Sequence, residues 1–112
     1  MSTGIKCARF KVCAATEMAL DSVRQVIVPG RSPIAVYRLA DGYFATDDLC
    51  THGDANLSEG DIEGDEIVCP FHLGKFDIRT GEATAAPCVE SLRRHRLAIG
   101  EDGTVYLEID ET

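Results

Sequence analysis

The sequence contains no tryptophan and only three histidines, and it has no lysine or arginine between residues 39 and 74. It also lacks an apolar run of the ~18 residues that a membrane-spanning helix needs, and its first residues lack the apolar core of a secretory signal. Outside the cysteine and histidine pairs described below, no nucleophile stands beside a candidate base. We therefore expect no membrane attachment, a cytoplasmic location and no catalytic activity in the chain itself.

The negative charge is concentrated in the stretch that lacks basic residues. The chain has a net charge of −8, and residues 39–74 alone contribute −9, which leaves +1 for the remainder (11 basic minus 10 acidic residues). A surface of this sign does not suit nucleic acid. We instead expect this stretch to dock on a cationic patch of a partner protein. Its nine acidic residues are Asp41, Asp47, Asp48, Asp54, Glu59, Asp61, Glu63, Asp65 and Glu66.

Turns punctuate the chain at short intervals. Segments rich in valine, isoleucine and aromatic residues, typical of strands, occur at residues 5–13, 22–28, 33–39, 43–46, 92–99 and 104–109. Asp41-Gly42 and Asp102-Gly103 predict two-residue type I′ hairpin turns, and Thr16 predicts the N-cap of a short helical turn. With 112 residues, the chain has the length of one domain. The prediction is a single all-β domain, an antiparallel sandwich or small barrel.

Two pairs of candidate metal ligands stand on turn-rich loops. One residue separates Cys50 from His52, two residues separate Cys69 from His72, and sixteen residues lie between the pairs. Either pair alone would be weak evidence, but both together in one short chain indicate a metal site. The chain has five cysteines, an odd number, and they form no short-spaced disulfide framework, which favours metal ligation as the use of some of them.

The ligand spacing favours an iron–sulfur cluster over zinc. Zinc sites with two cysteines and two histidines usually separate paired ligands by two to four residues, so that both reach one ion. The single residue between Cys50 and His52 suits two neighbouring metals better, with thiolates on one and imidazoles on the other. A structural zinc module stays open as the alternative.

The residues around these pairs resemble those of Rieske proteins. The stretches CTHGDANLSEG (50–60) and CPFHLGKFDIRTG (69–81) carry the resemblance, and the order of turns extends it over nearly the whole chain. Within the family, the chain is most similar to the stand-alone ferredoxins of multicomponent bacterial aromatic-ring dioxygenases. The resemblance implies an antiparallel three-sheet Rieske fold over residues 1–112, with a cluster-binding subdomain at about 46–87.

The resemblance also implies the ligands and the partners. Cys50 and Cys69 would bind the inner iron of one [2Fe–2S] cluster, and His52 and His72 would bind the outer iron. The chain would carry single electrons from a NAD(P)H-dependent flavoprotein reductase to a terminal Rieske oxygenase in aromatic hydrocarbon catabolism. The small Rieske-like subunit of a nitrite reductase is the alternative within the family, although such relatives often lack some of the ligands.

Four positions distinguish the chain from the respiratory type of Rieske protein. That type has a disulfide between the ligand loops, where this chain has Ala55 and Phe71, and hydroxyl donors near the cluster, where it has Gly74 and Phe76. A proline-containing loop that covers the cluster in the family matches residues 85–87. The missing hydroxyl donors and the nearby acidic residues both disfavour an added negative charge. We therefore expect a reduction potential near the bottom of the Rieske range of about −150 to +300 mV.

Overall fold

The computed structural model describes residues 6–51, 55–70, 74–86 and 90–111, with the backbone alone at 6–8 and 109–111. Strands and two short 3₁₀ turns, at Ala15–Glu17 and Leu57–Glu59, make up the regular structure of this part of the chain. No helix within these ranges is long and apolar enough to cross a membrane.

The strands form two antiparallel sheets. They are β1 (Lys6–Ala14), β2 (Ser22–Val26), β3 (Ile34–Leu39), β4 (Gly42–Asp47), β5 (Asp61–Glu63), β6 (Glu66–Val68), β7 (Lys75–Asp77), β8 (Ala83–Ala85), β9 (Arg94–Ile99) and β10 (Thr104–Glu111). The main sheet has the order β1-β10-β9-β4-β3-β2, and the small sheet has the order β5-β6-β7-β8. Within the main sheet β9 joins two groups of strands, because its first two residues pair with β4 and residues 96–99 pair with β10. The predicted all-β antiparallel architecture is confirmed, with two of the three implied sheets joined through β9 into one six-stranded sheet.

Strand β3 is buried on both faces. Its alternate residues Ala35, Tyr37 and Leu39 pack in the core cluster that also contains the small sheet, and Ile34 and Val36 pack in a second cluster on the other face. Because successive side chains of a strand point to opposite faces, this double burial explains why the strand is almost continuously apolar. The side of β3 that carries Tyr37 therefore forms the floor beneath the small sheet.

The small sheet lies within the predicted span 46–87. Its strands have three residues each, which is short for strands with an independent core. Ile67 on β6 pairs with Phe76 on β7, and both side chains are fully buried against the main sheet. The small sheet is therefore held in place by packing against β3 of the main sheet. The boundaries of a cluster-binding subdomain at about 46–87 stay a prediction.

The two predicted type I′ hairpin turns are wrong in detail. Leu39 pairs with Gly42, so the loop between β3 and β4 consists of residues 40 and 41, and neither has a positive φ. A type I′ turn requires positive φ at both central residues. Between β9 and β10 the Gly103 N–H donates to the Gly100 carbonyl, and Gly103 has φ +80°. In both hairpins the glycine follows the turn and supplies the backbone conformation at its end.

The predicted helical turn is shorter than expected and is capped differently. The structure has a single 3₁₀ turn at Ala15–Glu17, so Thr16 lies inside it rather than at its N-cap. The Glu17 carboxylate accepts a hydrogen bond of 2.8 Å from the Ala14 N–H. The side chain of Glu17, three residues later in the chain, thus accepts the hydrogen bond of the N–H that precedes the turn, as the glutamate of a capping box does.

Candidate metal centre

The two predicted ligand loops are closed in the same way. The backbone N–H of Cys50 donates to the carbonyl of Ala55 at 2.9 Å, and the N–H of Cys69 donates to the carbonyl of Gly74 at 2.7 Å. Each of these hydrogen bonds therefore encloses four residues, at 51–54 and at 70–73, and each set of four contains one predicted histidine. The cysteine stands at the closed base of both loops.

Cys50 and Cys69 converge in the interior. Their side chains are 5% and 0% exposed, and they belong to one cluster of packed buried residues. The other members of this cluster are Ala35, Tyr37, Leu39, Ala55, Leu57, Ile67, Phe76, Ile78 and Leu92. The structure thus brings the two predicted thiolate ligands into the same apolar surroundings, although they come from separate loops.

A close backbone contact connects the end of the second 3₁₀ turn to the strand that precedes Cys69. A Cβ built on Gly60 would lie 2.0 Å from the carbonyl oxygen of Val68, which is far inside van der Waals contact. Gly60 also donates its N–H to the Leu57 carbonyl at 2.9 Å and so ends the turn. The absence of a side chain at Gly60 lets the end of this turn approach the end of β6.

A buried carboxylate anchors the chain immediately before Cys50. Asp48 is fully buried and accepts hydrogen bonds from the Ser58 N–H (2.7 Å), the Ser58 hydroxyl (2.9 Å) and Gln25 Nε2 (2.8 Å). In the sequence, Asp48 is one of nine acidic residues between positions 39 and 74. Its place between a strand and the first ligand was the only signal that could have found it.

A buried tyrosine lies on the same floor of the site. The Tyr37 hydroxyl is 2.9 Å from Thr46 Oγ1, and both residues are fully buried. Burial raises the pKa of Tyr37 strongly, the hydrogen bond to Thr46 lowers it, and the negative charge of Asp48 raises it further.

Three ion pairs, formed by two basic residues, offset part of the charge of the acidic stretch. Arg79 contacts the carboxylates of Asp41 and Asp65, and Lys75 lies 3.0 Å from the Glu63 carboxylate. Arg79 thereby lowers the pKa of Asp41, and Glu63 raises the pKa of Lys75. Both basic residues follow the acidic stretch in sequence, so the charge of −9 counted along the chain overstates the charge that this surface presents.

The third histidine has a partner within the main sheet. His95 lies on β9 with a side chain that is 10% exposed, and its Nε2 is 2.7 Å from Asp47 Oδ1. The Asp47 N–H in turn donates to the Arg93 carbonyl at 2.9 Å. These two contacts connect β4, which leads into the first ligand loop, to the start of β9.

The histidine half of the predicted site lies outside the described residues. His52, His72, Phe71 and Pro87 belong to the three short gaps in the described ranges. Within those ranges no group of three or more histidine, cysteine, aspartate or glutamate side chains forms a metal site. The four-residue ligand set, Cys50 with His52 and Cys69 with His72, therefore stays a prediction.

The described residues fit an iron–sulfur cluster of the predicted kind. Two buried cysteines in one apolar cluster offer the soft thiolate ligands that iron in such clusters requires. Ala55 is buried at the first disulfide position of the respiratory type, and Phe76 is buried without a hydroxyl to donate. The thiolate side of the site therefore has an apolar wall at these two positions.

Comparison with known proteins identifies the family. The profile described as "Rieske [2Fe-2S] domain" matches residues 8–96. Ferredoxin CarAc of Metapseudomonas resinovorans is 46% identical over 98 residues, which cover 88% of this chain and 91% of that protein. The ferredoxin component of the p-cumate 2,3-dioxygenase system of Pseudomonas putida is 39% identical, with 88% and 83% covered. The predicted Rieske-type [2Fe–2S] cofactor and the role as a ferredoxin rather than an enzyme are confirmed.

Solved structures agree with this assignment. The ferredoxin in a complex of reduced oxygenase and oxidized ferredoxin of carbazole 1,9a-dioxygenase superimposes with a TM-score of 0.85 at 45% identity, covering 88% of this chain and 91% of that one. A nitrite reductase small subunit from Mycobacterium tuberculosis has a TM-score of 0.84 but only 18% identity, with 96% and 99% covered. That second likeness shows the fold alone. Family profile, relatives and fold agree, and the chain belongs to the Rieske [2Fe–2S] family.

Proposed function

We propose that this protein carries single electrons from a NAD(P)H-dependent flavoprotein reductase to a terminal aromatic-ring-hydroxylating oxygenase. Cys50 and Cys69 would hold the inner iron of its cluster, and His52 and His72 would hold the outer iron. The observation that carries the proposal is the pair of matching loops, each with a buried cysteine at its closed base and a histidine among its four enclosed residues. The relatives are ferredoxin components of dioxygenase systems, which supports the same role here.

The proposed ligand set suits an electron carrier of this kind. The bound cluster would supply one-electron oxidation and reduction, and the protein would supply its ligands and its surroundings. Two thiolates with two neutral imidazoles bring two negative charges fewer than four thiolates, which raises the potential above that of plant-type ferredoxins. The buried Phe76 and Gly74 have no hydroxyl to donate, which favours the low end of the Rieske range.

We expect the partner proteins to approach the histidine side of the cluster. The cysteines are buried, so the imidazoles would provide the shorter route for an electron. Ion pairs with Lys75 and Arg79 reduce the charge of the acidic stretch, but Glu59 and Asp61 remain exposed. Reductase turnover should therefore depend on ionic strength, although less steeply than a charge of −9 would require.

We further propose a single domain over residues 1–112 with its cluster-binding part at about 46–87, and a cytoplasmic location. The small sheet and both cysteine loops lie within residues 46–87, which supports the boundaries. Limited proteolysis tests them: cleavage should not release a stable fragment of residues 46–87, because that part shares its core with β3.

Purified protein tests the proposed ligands directly. We expect two iron atoms per chain, a reddish-brown colour and a rhombic EPR signal of low average g after reduction. The midpoint should lie near the bottom of the Rieske range, and a value above about +150 mV would contradict the argument from missing hydroxyl donors. Colourless protein with one equivalent of zinc would instead establish the zinc module.

Substitution separates the two halves of the site. His52→Cys should retain a cluster but lower its potential, because a thiolate replaces a neutral ligand. His95→Gln is the matched control, since His95 contacts Asp47 on the main sheet and should leave the EPR signal unchanged. An unaltered spectrum of the His52→Cys protein would remove His52 from the ligand set.

A further inference from the structure

Asp48 is a buried carboxylate without a cationic partner in the described part of the chain. Its side chain is fully buried, and its three hydrogen-bond donors come from the neutral residues Ser58 and Gln25. Buried carboxylates are normally paired with a cation, because transfer of a charge out of water is costly. The three donors offset only part of that cost, so the residue needs an explanation beyond the stability of the fold.

The position of Asp48 gives that explanation. Its backbone carbonyl accepts the Leu57 N–H at 2.7 Å, its neighbour Leu49 forms a bridge with Asn56, and Cys50 then closes the loop. Asp48 therefore begins a short series of backbone contacts, between residues 48–50 and 55–57, that ends at the ligand loop. Through Gln25 its side chain also connects this segment to β2, the edge strand of the main sheet.

We infer that Asp48 is a positioning residue of the cluster site: its carboxylate fixes the Cys50 loop on the main sheet, and its buried negative charge keeps the reduction potential of the protein low. This inference rests on the proposed ligand role of Cys50. It concerns how the surrounding protein sets the potential at which the carrier accepts its single electron.

The physical basis is the interaction between two negative charges inside the protein. Reduction adds one negative charge to the site, and a carboxylate two residues from Cys50 opposes that addition. At an effective dielectric constant of about 20, the interaction at a given distance is about four times as strong as it is in water. Salt screens such buried charges much less than exposed charges. The raised pKa of Tyr37 has the Asp48 charge among its causes.

Asp48→Asn separates the charge from the geometry. The substitution keeps the shape of the side chain, and the network can adapt because the Ser58 hydroxyl and the Gln25 amide can each turn an acceptor toward the new NH₂ group. We expect the midpoint potential of the holoprotein to become more positive, with unchanged g values. The shift should persist between low salt and about 1 M salt, since the charge is buried.

Asp61→Asn is the matched control. Asp61 is exposed and pairs with Val68, which precedes Cys69, so it also lies near a proposed ligand. Its removal should give a smaller shift, because water and salt screen an exposed charge more than a buried one, and high salt should abolish that shift. Equal shifts in the two variants, or a shift of Asp48→Asn that vanishes in salt, would overturn the inference.

Gln25→Leu gives an independent test if Asp48→Asn does not fold. This change on an edge strand removes one donor to Asp48 Oδ2 and leaves the carboxylate in place. The charge is then less well offset, so the midpoint should become more negative and cluster release by a chelator should be faster. A midpoint that is unchanged or more positive would contradict the proposed effect of the charge.

These outcomes are distinct from a failure of the proposed ligand set. If Cys50 is not a ligand, Cys50→Ser will retain the iron content and EPR signal of the unmodified protein. If Cys50 is a ligand and only the inference fails, Cys50→Ser loses the cluster while Asp48→Asn shifts the midpoint no more than Asp61→Asn does.

Discussion

Gly60→Ala should destabilise the protein through a single steric conflict. The new Cβ would lie 2.0 Å from the Val68 carbonyl oxygen, so backbone must move by about an ångström to reach a tolerable separation. Such overpacking typically costs about 1–3 kcal/mol, and a clash with backbone rather than with a flexible side chain places this case at the upper end. The reduced entropy of the unfolded chain returns about 0.4–1 kcal/mol, which leaves a net loss of ~2 kcal/mol.

That loss corresponds to a measurable change in Tm. At about 2.1 cal/mol/K per residue, a chain of 112 residues has an unfolding entropy of about 0.24 kcal/mol/K. A loss of ~2 kcal/mol therefore lowers Tm by about 8 °C. Because Val68 precedes Cys69, the displacement should also reduce the iron retained per chain, which a colorimetric iron assay on the purified protein measures.

Gly64→Ala is the matched control for this prediction. Gly64 lies in the turn between β5 and β6 with φ +61°, and a Cβ there would meet nothing within 4 Å. It should lose only about 1 kcal/mol for the left-handed conformation and keep its full iron content. A Tm for Gly60→Ala equal to that of the unmodified protein, or greater iron loss in Gly64→Ala, would refute the argument from the close contact.

The remaining predictions concern the core and the response to pH. Phe76→Ala should lower the free energy of unfolding by about 3–5 kcal/mol, because Phe76 is fully buried; urea denaturation measures it, and a loss below about 1 kcal/mol would indicate a poorly packed site. Tyr37→Phe should cost about 0.5–1.5 kcal/mol at pH 7 for the lost hydrogen bond. The pKa of Tyr37 is raised from 10.0 in the folded protein, so its contribution is complete below pH 10 and is lost as pH rises above that value. Stability of the Tyr37→Phe protein should therefore fall less between pH 10 and 11 than that of the unmodified protein, and parallel curves would show that the tyrosine does not ionise on unfolding. Arg79→Met should destabilise the protein less in 1 M salt than in dilute buffer, because its ion pairs with Asp41 and Asp65 are exposed to solvent. A loss independent of salt would point instead to the Phe44 ring, whose centroid lies 5.4 Å from the Arg79 guanidinium carbon.

Local patterns determined most of the elements. Apolar alternation and short glycine-containing turns correctly indicated an all-β antiparallel chain, and the segments at 22–28, 33–39 and 43–46 correspond to β2, β3 and β4. The errors concern the turns, because the dipeptide at Asp41-Gly42 is compatible with more than one loop. The observed loop follows from the register of β3 and β4, in which Leu39 pairs with Gly42. That register depends on which side chains pack in the core and not on the turn residues alone.

The two cysteine–histidine pairs could be recognised in the sequence because ligand chemistry restricts both residue type and spacing. The sequence could also place Ala55, Gly74 and Phe76 beside the ligands, since these positions are near them along the chain. The surface charge of the acidic stretch could not be predicted in the same way, because the sequence gives the number of acidic residues but not their ion-pair partners. Arg79 lies outside the acidic stretch and still contacts two of its carboxylates.

The sequence by itself thus determined the fold class and the candidate ligands, because strand periodicity and ligand spacing are local properties of the chain, and its resemblance to Rieske proteins indicated the cofactor. Only the tertiary structure decided that Cys50 and Cys69 share one buried cluster, that Gly60 meets Val68, and that Asp48 is buried. Cys50 and Cys69 meet in the core that the small sheet shares with β3. Asp48 is enclosed by Gln25 on β2 and by Ser58, and Gly60 meets Val68 where β5 begins to pair with β6. Burial is a property of the assembled fold, and it turns one of nine similar acidic residues into the one proposed to set the potential.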